Sequence, residues 1–75
     1  MKNNSKKKLG RKTLGQKVRA RRLRLGLTQE QSAELAELHP TYIGSVERGE
    51  RNISLDNIVC LAKGLDCSPK DLMPD

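Results

Sequence analysis

Between Thr28 and Gly49 the chain must fit two helices and a turn into 22 residues, and no other feature limits its fold as tightly. Thr28 and Gln31 form a capping-box pair that opens the first of them, with Ala33, Leu35 and Ala36 as its expected buried side. Leu38-His39-Pro40 interrupts that segment. Proline is tolerated at a first helical position, where its missing N–H has no partner to lose, so the next helix is expected from Pro40 through Val46 to Arg48, closed by Gly49. Two helices this short, linked only near Glu37-Leu38-His39, have no room to lie antiparallel and should cross steeply.

The remaining segments carry similar punctuation. Thr13 with Gln16 suggests another capping box, followed by Leu14, Val18, Arg22 and Leu25 near helical spacing and Gly26 as a stop. Ser54 is an N-cap candidate ahead of Leu55, Ile58, Val59, Leu61 and Ala62, up to Gly64. Ser68-Pro69-Lys70-Asp71 opens a last short helix holding Leu72 and Met73. Eleven Leu against three Ile and three Val favour helix over strand throughout. The expected fold is all-α, a compact five-helix domain over residues 13–75.

The net charge of +6 is unevenly placed. Lys2, Lys6, Lys7, Lys8, Arg11 and Lys12 stand in residues 1–12 without an acid, while residues 13–75 hold nine basic and nine acidic side chains. The first twelve residues have a single Leu to bury and are expected to be a disordered basic tail. Such a tail suits a polyanion, following a DNA backbone or entering a minor groove; a solubilising extension is the alternative. The basic first helix, with Lys17, Arg19, Arg21 and Arg24, is interrupted by Arg22 on its apolar side and has no aromatic anchor, which argues against a membrane surface.

Several classes find no support. No apolar run approaches the roughly 18 residues of a membrane span, and the basic start lacks the apolar region of a secretory signal. Cys60, Cys67 and His39 are too few for a structural zinc site, and the two cysteines are expected to be reduced packing residues. There is no nucleophile–base pair, phosphate-cradling Gly loop or metal-ligand cluster, so neither an enzyme nor a cofactor or metal is expected.

What remains is a helix face. Pro40, Thr41, Gly44 and Ser45 are small or polar and are expected to project outward, while Ile43 and Val46 fill the inner side. Such a face gains little in a core but can approach DNA base edges closely. Arg22 and Glu47 each fall on an apolar side of their helix, where neither belongs unpaired. A salt bridge clamping the first helix to the third is therefore expected.

These residues carry a family resemblance. Thr28-Gln29-Glu30-Gln31, Ala33, Tyr42-Ile43 and Glu47-Arg48-Gly49 resemble the helix-turn-helix of the Xre/Cro-repressor family. Arg51-Asn52-Ile53-Ser54-Leu55 and Leu61-Ala62-Lys63-Gly64-Leu65 resemble its fourth helix and the approach to its fifth. The similarity spans roughly residues 13–73 and is nearest in style to small stand-alone regulators, including restriction-modification controller proteins. It implies a lambda-repressor-like DNA-binding domain, usually a homodimer reading the major groove of an inverted-repeat operator.

On that basis Pro40, Thr41, Tyr42, Gly44 and Ser45 are candidate base contacts, and Thr28, Gln29, Arg48, Arg51 and Asn52 candidate phosphate contacts. Tyr42, the sole aromatic residue, is equally readable as partly core with its hydroxyl at the rim. Ile53, Leu55, Ile58, Leu61 and Leu65 are dimer-interface candidates, with their division between core and interface open. Ser32 stands where the family usually has Leu, Glu37 where it has a turn Gly, and Pro40 where many relatives carry a base-reading side chain. The expected partner is double-stranded DNA in the cytoplasm, with no small-molecule effector, since no effector domain follows. A protein-interaction module, such as an antitoxin or adaptor built on the same helices, is the alternative.

Overall fold

The computed structural model describes residues 2–74, with side chains from Gly10 onward. Five helices follow one another, α1 (Lys2–Arg24), α2 (Gln29–Ala36), α3 (Pro40–Glu47), α4 (Leu55–Gly64) and α5 (Pro69–Leu72), and the described residues hold no strand. The domain is all-α, as the sequence predicts.

The start of α1 differs from the expectation. The helix does not begin at Thr13 but runs unbroken from Lys2, so the segment expected to be a disordered tail is helical and continuous with the domain. Lys and Arg lose little rotamer freedom in a helix, and no proline intervenes. The segment also has something to hold: Arg11 Nε donates to Asn52 Oδ1 at 2.6 Å, and Lys12 passes close under Gly49. The boundary between residues 12 and 13 therefore falls inside a packed contact. The side chains of Lys2, Lys6, Lys7 and Lys8 lie outside those described.

The other helices begin where their caps are written. Thr28 Oγ1 accepts from the Gln31 N–H at 3.0 Å while Gln31 Oε1 accepts from the Thr28 N–H at 2.9 Å. Ser54 caps α4 through the Asn57 N–H, and Ser68 with Asp71 closes a box at α5. His39 caps α3: its Nδ1 accepts from the Thr41 N–H at 3.1 Å, ahead of Pro40 at the first position. Glu37 ends α2 in the left-handed conformation (φ 58°, ψ 41°) that its replacement of glycine demands, and Leu38 N–H donates back to the Ala33 carbonyl at 2.9 Å.

The core joins Leu14 and Val18 of α1, Ala33 and Ala36 of α2, Ile43 and Val46 of α3, Ile58, Leu61 and Ala62 of α4, and Leu65 and Leu72. Two expected core positions turn out exposed. Leu35 points to solvent and Ser32 takes the buried place beside Ala33 and Ala36, because the crossing with α4 lies on that side of the short helix. Leu25 lies beyond the end of α1, and Leu27 packs on the core instead. Ser32 Oγ is buried with no hydrogen-bond partner, a cost the family's Leu would not carry.

Small residues set the closest approaches. A Cβ on Gly64 would come within 2.8 Å of the Ala36 backbone, where α4 meets α2. At Gly15 a Cβ would collide with the Val46 carbonyl and lie 2.8 Å from that of Glu47, so α1 passes almost backbone to backbone over the end of α3.

Candidate nucleic-acid interface

α3 is held from three sides. From α1, Arg22 reaches under its C-terminal end and meets Glu47 with two parallel hydrogen bonds, Nε–Oε2 at 2.6 Å and Nη2–Oε1 at 2.9 Å. Its third nitrogen, Nη1, donates to the Leu27 carbonyl at 2.9 Å, so one guanidinium ties α1, the α1–α2 turn and α3 together. The two side chains are only 10% and 4% exposed. The Glu47 carboxylate, by hydrogen bond and by charge, holds the Arg22 pKa above its already high ordinary value against the opposing effect of burial. From α2, Gln29 Nε2 donates to the same Glu47 Oε1 at 3.2 Å. Around this node opens a cleft of about 300 Å³, lined by Arg19, Arg22, Gln29, Glu47 and Arg48. Three of those five are cationic, beside the N-terminal turn of α2 with its free backbone N–H groups, a setting suited to a phosphate.

From α4, Asn57 Nδ2 donates to Tyr42 Oη at 3.0 Å. The Tyr42 ring is half-buried against the core, and the Arg51 guanidinium lies over its face, 5.3 Å from the centroid. Arg51 Nε also donates to Ser45 Oγ at 3.1 Å, and that hydroxyl donates to the Tyr42 carbonyl at 2.8 Å.

The geometry sorts the expected site residues. Thr41 is exposed at the start of α3, beside half-buried Pro40 and Tyr42. Gly44 is buried under side chains rather than bare: a Cβ there would lie 3.2 Å from Arg48 Nη1 and 3.3 Å from Gln29 Oε1. Ser45 does not project outward. It is 6% exposed and its hydroxyl is occupied on both sides, because at three residues' remove it turns back onto its own helix and meets the loop that follows. Thr28 is an exposed cap, Gln29 is half-buried at the Glu47 node, and Arg48 and Arg51 are exposed. Asn52 is exposed and its Oδ1 accepts from Arg11.

The interface candidates divide cleanly. Ile58, Leu61 and Leu65 are buried in the core. Ile53 is half-buried, and Leu55 is open at 64% exposure. Val59, one turn on from Leu55, is also open at 48% and belongs beside it.

Four contributors were missed from sequence. Asn57 stands at the third helical position after Ser54, a spacing that reads as local capping. Arg11 lay in the presumed tail. Arg21 read as surface charge, yet its Nε and Nη2 donate to the Leu65 and Asp66 carbonyls (2.9 and 2.7 Å), where Asp66 bends left-handed at φ 54°. Lys17 Nζ likewise reaches the Met73 carbonyl at 2.8 Å.

Cys60 and Cys67 are free thiols, and burial pushes the Cys67 pKa up. No helix among the described residues is long and apolar enough to cross a membrane.

The helix-turn-helix family HTH_3 matches residues 18–72, which takes in all of α2 to α5. The chain belongs to that family. It is 52% identical over 60 residues to control protein C.BamHI of Bacillus amyloliquefaciens, covering 79% of this chain and 74% of that protein. It is 50% identical over 60 residues to control protein C.SmaI of Serratia marcescens, covering 80% and 71%. Among solved structures, the restriction-modification controller protein C.AhdI from Aeromonas hydrophila superposes with a TM-score of 0.81 at 46% identity, over 84% of this chain and 96% of that one.

Proposed function

We propose that this chain is a sequence-specific DNA-binding transcriptional regulator, a controller protein of the restriction-modification type. As a homodimer it reads the major grooves of an inverted-repeat operator. The observation that carries the reading is the start of α3, where exposed Thr41 stands between half-buried Pro40 and Tyr42 on a helix clamped from α1, α2 and α4. Its similarity to control proteins sets the class of regulator.

In this reading Thr41 and Tyr42 contact base edges, and Pro40 brings the turn close to the groove without a guanine-reading side chain. Gly44 lets Gln29 and Arg48 lie across the helix, and Ser45 orients Arg51 rather than touching a base. Thr28, Gln29, Arg48, Arg51 and Asn52 hold phosphates, joined by Arg19 in the cleft. Leu55 and Val59, with half-buried Ile53, form the face between copies and set half-sites about 34 Å apart. The protein acts in the cytoplasm, without catalysis or a small effector.

Selection of duplexes from a random pool should return an inverted repeat, bound at least a hundredfold more tightly than a scrambled duplex. Leu55→Glu with Val59→Glu should leave the fold intact, make the chain monomeric and abolish binding to the full operator. Equal affinity for selected and scrambled DNA would refute the regulator reading in favour of a protein-interaction module.

A further inference from the structure

We infer that Asn57 is a positioning residue for base readout: it fixes the hydrogen-bond polarity of the Tyr42 hydroxyl from α4. The inference rests on the functional reading above.

Asn57 occupies a local pattern that it does not use. Three helices open with a hydroxyl cap followed three residues later by an amide or acid: Thr28 with Gln31, Ser54 with Asn57, Ser68 with Asp71. At α2 and α5 the third residue's side chain folds back and accepts from the cap's own N–H, at 2.9 and 3.0 Å. At α4 the Asn57 backbone N–H still donates to Ser54 Oγ at 3.2 Å, but its amide reaches across to Tyr42 on α3. The local capping contact gives way to a contact 15 residues distant.

That contact has a direction. Asn57 Nδ2 donates, so one lone pair of the Tyr42 oxygen is filled and the phenolic proton is left to be donated away from α4. A tyrosine held this way recognises acceptors, such as guanine O6 and N7, thymine O4 or a phosphate oxygen, and disfavours the amino groups of adenine and cytosine. The ring, fixed at its hydroxyl end, also carries the Arg51 guanidinium, which Ser45 holds at Nε. Removing the Asn57 amide frees the hydroxyl to present either a proton or a lone pair, while Arg51 keeps its bond to Ser45. Discrimination between sequences should fall, whereas the charge that attracts any duplex is unchanged.

The test compares affinities of the full chain and its variants for the selected operator and a scrambled duplex across a salt series. Asn57→Ala should lower the operator-to-scrambled ratio about tenfold, with the scrambled affinity and its salt dependence unaltered. In a Tyr42→Phe background it should add no further loss. The near-UV signal, which comes from Tyr42 alone in a chain without Trp or Phe, should shift in Asn57→Ala. Asn57→Asp keeps the shape but offers only acceptors, so it should reduce the ratio at least as far, and it decides the matter if the Ala variant fails to fold. An unchanged ratio in folded variants overturns the inference, as does a loss that simply adds to that of Tyr42→Phe. A parent chain that binds both duplexes alike overturns the functional reading, and this inference with it.

Discussion

Glu47 gathers contacts from two other helices at a single carboxylate. It receives two bonds from Arg22 and one from Gln29, all while almost wholly removed from water. A carboxylate and a guanidinium buried together gain strength from low local dielectric but give up hydration, so the pair as a whole stabilises little, whereas either member alone is costly. Arg22→Met should therefore destabilise the domain by about 3–5 kcal/mol, because Glu47 keeps its charge in a site that no longer neutralises it. Arg22→Met with Glu47→Leu should regain most of that loss in urea titrations. If the double variant is no more stable than the single, the pair contributes by shape and not by charge. The one Arg22 nitrogen that the carboxylate does not engage, Nη1, donates to the Leu27 carbonyl, so all three guanidinium nitrogens have partners.

At the scale of elements, what the sequence discloses depends on how far a signal must reach. The caps at Thr28, Ser54 and Ser68 act within three residues and were legible, and Glu37 takes the left-handed bend of the turn glycine it replaces. Ser45 and Asn57 were not, since their side chains are directed by residues on other segments, Arg51 and Tyr42. The same holds for α4: helical spacing could not say whether Leu55 or Leu61 faces inward until α2 was seen against it. Gly15 shows the gap most plainly. In an isolated helix its replacement by alanine would stabilise by about 1 kcal/mol. Here the added methyl meets the Val46 and Glu47 carbonyls, backbone that cannot swing aside, so Gly15→Ala should cost about 1–3 kcal/mol. Gly10 is the internal control, with a Cβ 3.9 Å from Pro74 Cγ. Gly10→Ala should raise the thermal midpoint in the same experiment that shows Gly15→Ala lowering it. Equal gains at both would mean that α1 and α3 are not so closely apposed.

On the scale of the whole molecule, the net charge and the α3 surface occupy different parts of the chain. All six net charges arise in residues 1–12, while residues 13–75 are balanced and carry the α3 surface. The helical continuity of α1 changes where this division can be tested. Arg11 is bonded to Asn52 and Lys12 lies against Gly49, so a cut at residue 12 would disturb the loop that follows α3. A cut after residue 9 removes Lys2, Lys6, Lys7 and Lys8 and spares both contacts. Each phosphate neutralised by a lysine contributes about 0.9 to the slope of log affinity against log salt. If those four lysines meet phosphates, the shortened chain should lose up to about 3–4 units of slope and bind more weakly at low salt. It should nonetheless select the same sequence from a random pool, because Thr41, Tyr42 and their supports are untouched. A shortened chain with an unchanged slope would make the basic segment a bystander. One that selects a different sequence would show that the segment reads bases, and the division between attraction and recognition would fail.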